Sequence, residues 1–488
     1  MSNSLNRPLR VLFLTSEYDP YAKVGGLGDY SGSLPKAIKK QSAEDHREVD
    51  IRLAIPFHGA FNRDFQFSAK TADLELHTRN GSARGAAFAI SHNKLPLYLI
   101  KRSGRASGYD AIYNAKQTQD ARKYIYFSLA VSDLVKKIGW APDVIHANDW
   151  HAALALHQFS GLRKTDPFFA NLKLLQVIHN MPFLGEGTRS VMKDFGIKPV
   201  NSTILPEWAK YLPLPMGLVS ADWITAVSPT YAEELTTEEF ADGMADFFIQ
   251  NHRKTNGILN GIDTDIWDPG NDRLITHHYS INHPEGKTKN KAEILSRFDL
   301  DADLHKPLLV FISRLTSQKG VDILLKYLPE MVDSDWNAIF LGCGDPTLEA
   351  GLKEFEAKHP DRIRAVLEFN NPLAHQLYAA GDILLMPSRY EPCGLSQMIA
   401  MRYGCIPVAR EVGGLKDSII PVNRSGGTGY LFGSADEREF VPCLTKALKD
   451  YSDQGRWKKI IHRAMKEDFS WKTSANHYID LYFQLANQ

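Results

Sequence analysis

From residue 307 onward the chain alternates short apolar runs with segments of helical composition. "LLVFISRL" precedes "GVDILLKYLPEMV", "NAIFLGCGD" precedes "PTLEAGLKEFEAKH", and "RIRAVLEF" precedes "PLAHQLYAAG"; "DILLMPS" and "CIPVAR" continue the series. Near-continuous Val, Ile and Leu runs describe strands buried on both faces, as parallel sheets require. Right-handed crossovers through the intervening helices then force a doubly wound sheet, with a ligand crevice at the carboxyl ends of its strands.

The first half repeats this grammar less regularly. Strand candidates are "VLFLTSE", "VDIRLAIP", "LPLYLIK", "DVIHAND", "LKLLQVIHN" and "WITAVS". Tyr124, Phe127, Val131, Leu134 and Ile138 fall on one face of an intervening helix. Ser228 followed by Pro229 reads as an N-cap and first helical residue. A second α/β domain is therefore expected, and 488 residues suit two large domains, since one core organises roughly 100–200 residues. Between the two patterns, "NGIDTDIWDPGNDRLITHHYSINHPEGKTKNK" is polar and lacks a sustained period, so it reads as the interdomain connection. The boundaries taken from this are 1–268, 269–470 and a helical tail over 471–488. Two such domains facing each other are expected to leave a deep interdomain cleft, a preferred place for a ligand.

Composition narrows the function classes. Lys plus Arg and Asp plus Glu each total 57, a balance that argues against a general nucleic-acid binder while allowing one local basic pocket. Cys343, Cys393, Cys405 and Cys443 show neither CxxC spacing nor the density of a disulfide scaffold. The opening "MSNSLNRPLR" lacks an apolar leader, and no run approaches the ~20 apolar residues of a membrane helix. A cytoplasmic protein with no membrane partner is the expectation.

Several stretches at strand ends carry chemistry. In "KVGGLGD" the glycines sit between a strand and a helix, where N–H groups favour anionic oxygens and Lys23 adds charge. The same residues equally describe an ordinary tight turn, and the pattern matches neither GxGxxG nor the Walker loop. In "FISRLTSQKGVDIL", Arg314 and Lys319 suit one phosphate site and a leaving pyrophosphate. "PSRYEPCGLSQMIAMRYG" places Glu391, Pro392, Cys393 and Gly394 at a helix entrance, where Glu391 can take sugar hydroxyls or simply complement the helix dipole. A second glycine turn, "EVGGL", returns at 411–415. His146, His151 and His179 have no ligand spacing of a known zinc motif, so hydrogen bonding is expected of them rather than metal binding.

Taken in order, "KVGGLGD", "HANDWHA", the "HN" at 179–180, "VSPTYAEEL", "ILNGIDTDIWDP", "SRLTSQKGVDIL", "PSRYEPCGLSQ" and "GGLKDSI" resemble the bacterial glycogen synthase and starch synthase family. The resemblance implies a GT-B fold of two Rossmann-like domains and retaining transfer of glucose from ADP-glucose or UDP-glucose to the 4-hydroxyl at the non-reducing end of an α-1,4-glucan. No cofactor or metal is implied. The first domain is then the acceptor side and part of the donor site, the second binds the nucleotide sugar, and the final helix returns to the first domain. By motif, Lys23, Gly25 and Gly26 correspond to a donor-phosphate loop with Asp29 as neighbour, and Arg314 and Lys319 to a diphosphate clamp. Glu391 corresponds to the acidic residue beside the donor glucose, with Cys393, Gly394, Leu395 and Ser396 lining its loop. His179 corresponds to a histidine supporting the reacting glucose, Asp149, Asn180 and Asn260 to polar positions near the sugar, and Phe369 to an aromatic beside the base. Gly413 and Gly414 are expected to offer amides near the donor. The implied catalytic group is Glu391, His179, Arg314 and Lys319. Two positions depart from the family pattern: Leu184 stands where an amide is frequent, and Val412 where a threonine is usual. A related enzyme with another acceptor, or a silent glucan-binding protein, are the alternative readings.

Overall fold

The computed structural model describes residues 7–62, 70–79, 81–104, 109–433 and 437–488, and divides into two compact units. The first comprises residues 1–261 together with 471–488, the second 262–470. The division falls after Gly261, where the sequence pattern placed it after 268. Backbone pairing explains this placement, because the Ile262 amide donates to the Phe469 carbonyl at 2.7 Å and Ile262 bridges to Ser470.

In the first unit the described strands are β1 (Leu9–Leu14), β2 (Val49–Pro56), β3 (Lys70–Thr78), β4 (Gly81–His92), β5 (Leu95–Arg102), β6 (Val144–Asn148), β7 (Lys173–Ile178), β8 (Trp223–Ala226) and β9 (Thr255–Gly257). They form one sheet in the order β3-β4-β5-β2-β1-β6-β7-β8-β9. The apolar runs became its parallel centre, with Val11 opposite Ile51 on one side and Val144 on the other. β3 and β4 are antiparallel additions that the sequence reading did not identify. β3 alternates exposed and buried residues, the signature of a strand covered on one face only. Helix Gln117–Lys137 buries Tyr124, Phe127, Val131 and Leu134, the face expected from their spacing, and Ser228 accepts the Tyr231 amide at 3.2 Å as an N-cap.

The C-terminal helix Trp471–Ala486 belongs to this first unit. A fully buried polar chain fastens it: the Tyr30 hydroxyl bonds to the Tyr478 hydroxyl at 2.9 Å and to His146 Nε2 at 3.0 Å, and His146 Nδ1 meets the Tyr482 hydroxyl at 2.7 Å. Burial holds the His146 imidazole neutral, with its pKa down at about 3. His146 is thus a packed structural histidine.

The second unit contains β10 (Leu308–Ile312), β11 (Asn337–Leu341), β12 (Ile363–Val366), β13 (Ile383–Met386), β14 (Ile406–Arg410) and β15 (Tyr430–Phe432), ordered β12-β11-β10-β13-β14-β15 and parallel throughout. All but the short β15 correspond to the apolar runs that opened the argument.

The end of the stretch read as connection, residues 285–291, is the first half of a helix, Glu285–Arg297. Its buried face follows helical spacing but is built from Lys287, Asn290, Lys291 and Ile294, so hydropathy alone hides it. The Lys287 ammonium donates to the carbonyls of Gly381 at 2.7 Å and Tyr403 at 3.0 Å, the residues that directly follow helices Asn371–Ala380 and Ser396–Arg402. Lys291 donates to the Leu304 carbonyl at 3.0 Å and pairs with Asp382 at 2.7 Å. Burial lowers the Lys287 pKa. Lys287→Met keeps much of the volume and removes the donors. We expect it to destabilise the second unit by about 1–3 kcal/mol, read as a lower thermal midpoint; an unchanged midpoint contradicts this account of the helix.

Candidate active site

In an open parallel sheet the crevice forms where two neighbouring strands send their crossovers in opposite directions. The first sheet reverses between β1 and β6, so the loops after these strands meet. The loop after β1 carries Glu17, which is 3% exposed. Its Oε2 accepts the amides of Val24 and Gly25 at 2.8 and 2.9 Å, and its Oε1 accepts the Tyr113 hydroxyl at 2.6 Å. A buried carboxylate therefore already takes the amides of Val24 and Gly25, the two residues just before helix Gly26–Glu44. Lys23 has an internal partner as well, its Nζ lying 2.6 Å from Asp29 and 3.9 Å from Asp19. Lys23 remains an exposed cation at the mouth of the loop.

β6 passes directly into helix Asp149–Thr165, whose first residue, Asp149, has a φ of +51° that puts a non-glycine residue in the left-handed region. This turn aims the carboxylate at the end of β7, where Oδ1 accepts the His179 amide at 2.7 Å. Burial raises the Asp149 pKa to about 7, against the lowering effect of bonds from the His179 and Asn180 amides. The His179 ring lies between Asn148 and Tyr30, 2.9 Å from Asn148 Oδ1 and edge-on to the phenol at 4.5 Å. Because Asn148 Nδ2 donates to the Leu14 carbonyl, its Oδ1 faces the histidine, which must donate from Nε2. Desolvation pulls the His179 pKa to about 3, so a neutral ring offers Nδ1 as an acceptor. Asn260 is buried in the same unit, and its Oδ1 has no hydrogen-bond partner among the described residues.

The second sheet reverses between β10 and β13. The loop after β10 carries Arg314 and Lys319; the loop after β13 carries Glu391. Lys319 Nζ lies 2.5 Å from Glu391 Oε2, which also accepts the Ser388 hydroxyl at 3.0 Å. Arg389 bridges the two loops with a two-pronged pair to Asp322, 2.7 Å on each side, and its amide donates to the Gln318 carbonyl. Arg314 is exposed, its guanidinium 3.4 Å from Gln318 Oε1. Gly320 turns the chain at φ +72°, with its Cα so close to Pro387 that a Cβ would stand 2.2 Å from the carbonyl oxygen.

Cys393 is buried and Gly394 half-buried beside Gln397, whose Nε2 donates to both carbonyls at 3.1 and 2.8 Å; Leu395 and Ser396 lead into helix Ser396–Arg402. The second glycine turn packs against this loop. The Gly414 amide donates to the Glu391 carbonyl at 3.1 Å, and a Cβ on Gly414 would lie 2.0 Å from the Cys393 carbonyl oxygen. Gly413 and Gly414 open helix Gly413–Ser418. Their turn supports the Glu391 loop, a role that the sequence reading, which expected amides offered to the donor, did not foresee. Phe369 stands after β12, 85% exposed, with no ring contact to the Lys319–Glu391 group among the described residues. Both departures from the family pattern are core residues, Leu184 at 2% and Val412 at 1% exposure.

Glu17, Tyr30, Asn148 and Tyr113 were not singled out from sequence. Only Glu17 carried a signal, an acidic residue between a strand end and a glycine turn. Among the described residues no group of three or more His, Cys, Asp or Glu side chains is arranged to hold a metal, and no helix is long and apolar enough to cross a membrane.

Residues 10–250 match the family model for a starch synthase catalytic domain, and residues 293–463 the model for glycosyl transferases group 1. A glycogen synthase of Clostridium beijerinckii is 35% identical, the alignment covering 98% of this chain and 100% of that protein. A glycogen synthase of Geotalea daltonii is also 35% identical, over 97% and 98%. The solved catalytic domain of starch synthase IV from Arabidopsis thaliana, bound to ADP and acarbose, has a TM-score of 0.88 at 29% identity and covers 99% of this chain and 100% of that one. A sucrose-phosphate synthase from Thermosynechococcus elongatus, at 18% identity and TM-score 0.61 over 98% and 99% of the two chains, shares the fold.

Two outcomes follow from the geometry. Asp149 keeps its proton in the folded chain up to about pH 7, whereas unfolded it loses it near pH 3.8. The folded state binds the extra proton between these values, so the contribution of Asp149 to stability falls as pH rises through that window, by about 1.4 kcal/mol per unit of separation. Asp149→Asn tolerates the left-handed backbone and cannot titrate. The stability of the variant relative to the parent should therefore climb from pH 4 to 7 and level off above; a difference independent of pH in denaturant titrations refutes the burial argument. Gly414→Ala forces the two loops apart and should cost about 1–3 kcal/mol, read as a lower thermal midpoint.

Proposed function

The chain belongs to the starch and glycogen synthase family of retaining GT-B hexosyltransferases, and on that premise we propose that it moves glucose from ADP-glucose or UDP-glucose to the non-reducing 4-hydroxyl of an α-1,4-glucan. The observation that carries the reading is the Lys319–Glu391 pair at the point where the second sheet reverses its winding. One cation and one carboxylate, both largely shielded from water, stand where a nucleotide sugar brings a diphosphate and a reacting anomeric carbon. The ADP bound to the Arabidopsis relative supports ADP-glucose as the first donor to test, and its acarbose supports a glucan acceptor.

On this reading Arg314 and Lys319 take the charge that grows on the leaving diphosphate, Arg314 as a planar fork and Lys319 as a point charge. Lys319 exchanges its partner from Glu391 to the phosphate, which frees the carboxylate to balance positive charge on the glucose ring. The acceptor attacks from the face the diphosphate leaves, and its hydroxyl proton passes to the departing phosphate oxygen. The sequence is written without a cofactor, since the two side chains provide the cationic charge. Neutral His179, with Asp149, Asn180 and Asn260, supplies sugar-hydroxyl partners, and Lys23 adds positive charge toward phosphate. The alanine-free loop Glu391–Ser396 shapes the donor glucose site, and Phe369 serves the base. A cytoplasmic location suits a cysteine pattern that has neither CxxC spacing nor the density of a disulfide scaffold.

Glucan elongation with ADP-glucose and UDP-glucose in parallel, scored as polymer-bound glucose, tests the activity. Lys319→Ala and Glu391→Ala should each lower kcat by about 10²–10³-fold or more while the thermal midpoint shows a folded chain. Parent-like turnover in either folded variant removes these residues from the site.

A further inference from the structure

The loop after β7 is held along nearly its whole length. Met181 is fully buried, and its amide donates to the Tyr231 hydroxyl at 2.9 Å. Leu184 is buried too, and its carbonyl accepts the Leu214 amide at 3.1 Å. The Thr188 hydroxyl donates to the Gly185 carbonyl at 2.7 Å. Between these anchors, Phe183 is turned outward and 55% exposed, its amide closing a tight turn onto the Asn180 carbonyl at 3.3 Å.

An exposed phenylalanine on a mobile loop signifies little. Here both neighbours in sequence space that could have hidden the ring are otherwise committed: Leu184 fills the core, and Pro182 restricts the backbone before it. The turn also starts from Asn180, whose amide, with that of His179, binds Asp149. The ring is therefore tied by a short rigid segment to the sugar-facing group of the first unit.

We propose that Phe183 is an acceptor platform, its ring taking the C–H face of a glucose unit near the non-reducing end of the α-1,4-glucan. A pyranose has a rim of hydroxyls and faces of C–H groups, and a flat apolar ring matches the faces while leaving the rim to polar partners. Fixing the backbone that bears the ring before binding lowers the ordering cost that a mobile loop would impose. Such an interaction is made equally in the ground and transition states, so it governs acceptor KM rather than the chemical step. The inference rests on the glucan-elongating function proposed above.

The test is steady-state kinetics with maltoheptaose and with glycogen as acceptors, under the better of the two donors, for the full chain and for Phe183→Ala, Phe183→Leu, Phe183→Tyr and Phe183→Trp. Phe183→Ala should raise acceptor KM about tenfold with donor KM held, Phe183→Leu should fall with it, and Phe183→Tyr and Phe183→Trp should restore the parent value. Maltoheptaose titrated calorimetrically without donor should show the same order of affinities. An acceptor KM unchanged in folded Phe183→Ala, or donor and acceptor KM rising together, overturns the platform while leaving the function intact. A parent chain that elongates neither acceptor with either donor overturns the function itself, and this inference with it.

Discussion

A right-handed crossover carries a parallel strand to a neighbour on the side fixed by its hand, so a sheet that grows both ways from one strand must open a gap above that strand's carboxyl end. Both sheets do this, at β1 and β6 in one unit and at β10 and β13 in the other. The gap leaves the loop residues there without covering helices, which is why polar side chains collect at these two places. Glu17, Asp149 and His179 gather at the first, Lys319 and Glu391 at the second. Neither cluster would exist if the same strands were wound in one direction.

Much of this was legible in the sequence, for a physical reason. β10, β11, β13 and β14 lie inside the second sheet and are buried along almost their whole length, so they are largely apolar, and their runs stand out from the helices between them. The placement of Arg314, Lys319 and Glu391 at strand ends followed from the same runs, whereas the strand order that sets the reversal points is decided by pairing between distant segments. Helix Glu285–Arg297 was illegible because its buried contacts are made by ammonium groups on carbonyl oxygens, an interaction that hydropathy scores as solvent-facing. β3 and β4 were missed as strands because one face is wet and the pattern was sought as continuous apolar runs.

The two glycine turns show a subtler limit. Their composition suggests amides waiting for an anion, and composition cannot tell whether the chain supplies that anion itself. In the first turn it does so for Val24 and Gly25, through Glu17; in the second, one amide goes to the Glu391 carbonyl and the missing side chain makes room for Cys393. Glycine there serves the packing of one loop on another. A sequence motif fixes the backbone geometry available, and the partner is decided by residues distant in the chain, such as Tyr113 on Glu17.

The same pattern governs the cations. Lys23 rests on Asp29 and Lys319 on Glu391, each with a carboxylate from a neighbouring turn. The largely buried Lys319 ammonium would carry the cost of its lost hydration without a partner, and its pair with Glu391 offsets that cost. Binding a diphosphate on the proposed reading is then an exchange of one anion for another. A monoanion offers Lys319 no more than Glu391 already does, whereas a diphosphate brings further oxygens within reach of Arg314. On that reading, selectivity for the nucleotide sugar begins with the carboxylate that must be displaced, and the displacement leaves Glu391, released from Lys319 and still bonded to the Ser388 hydroxyl, beside the carbon where positive charge develops.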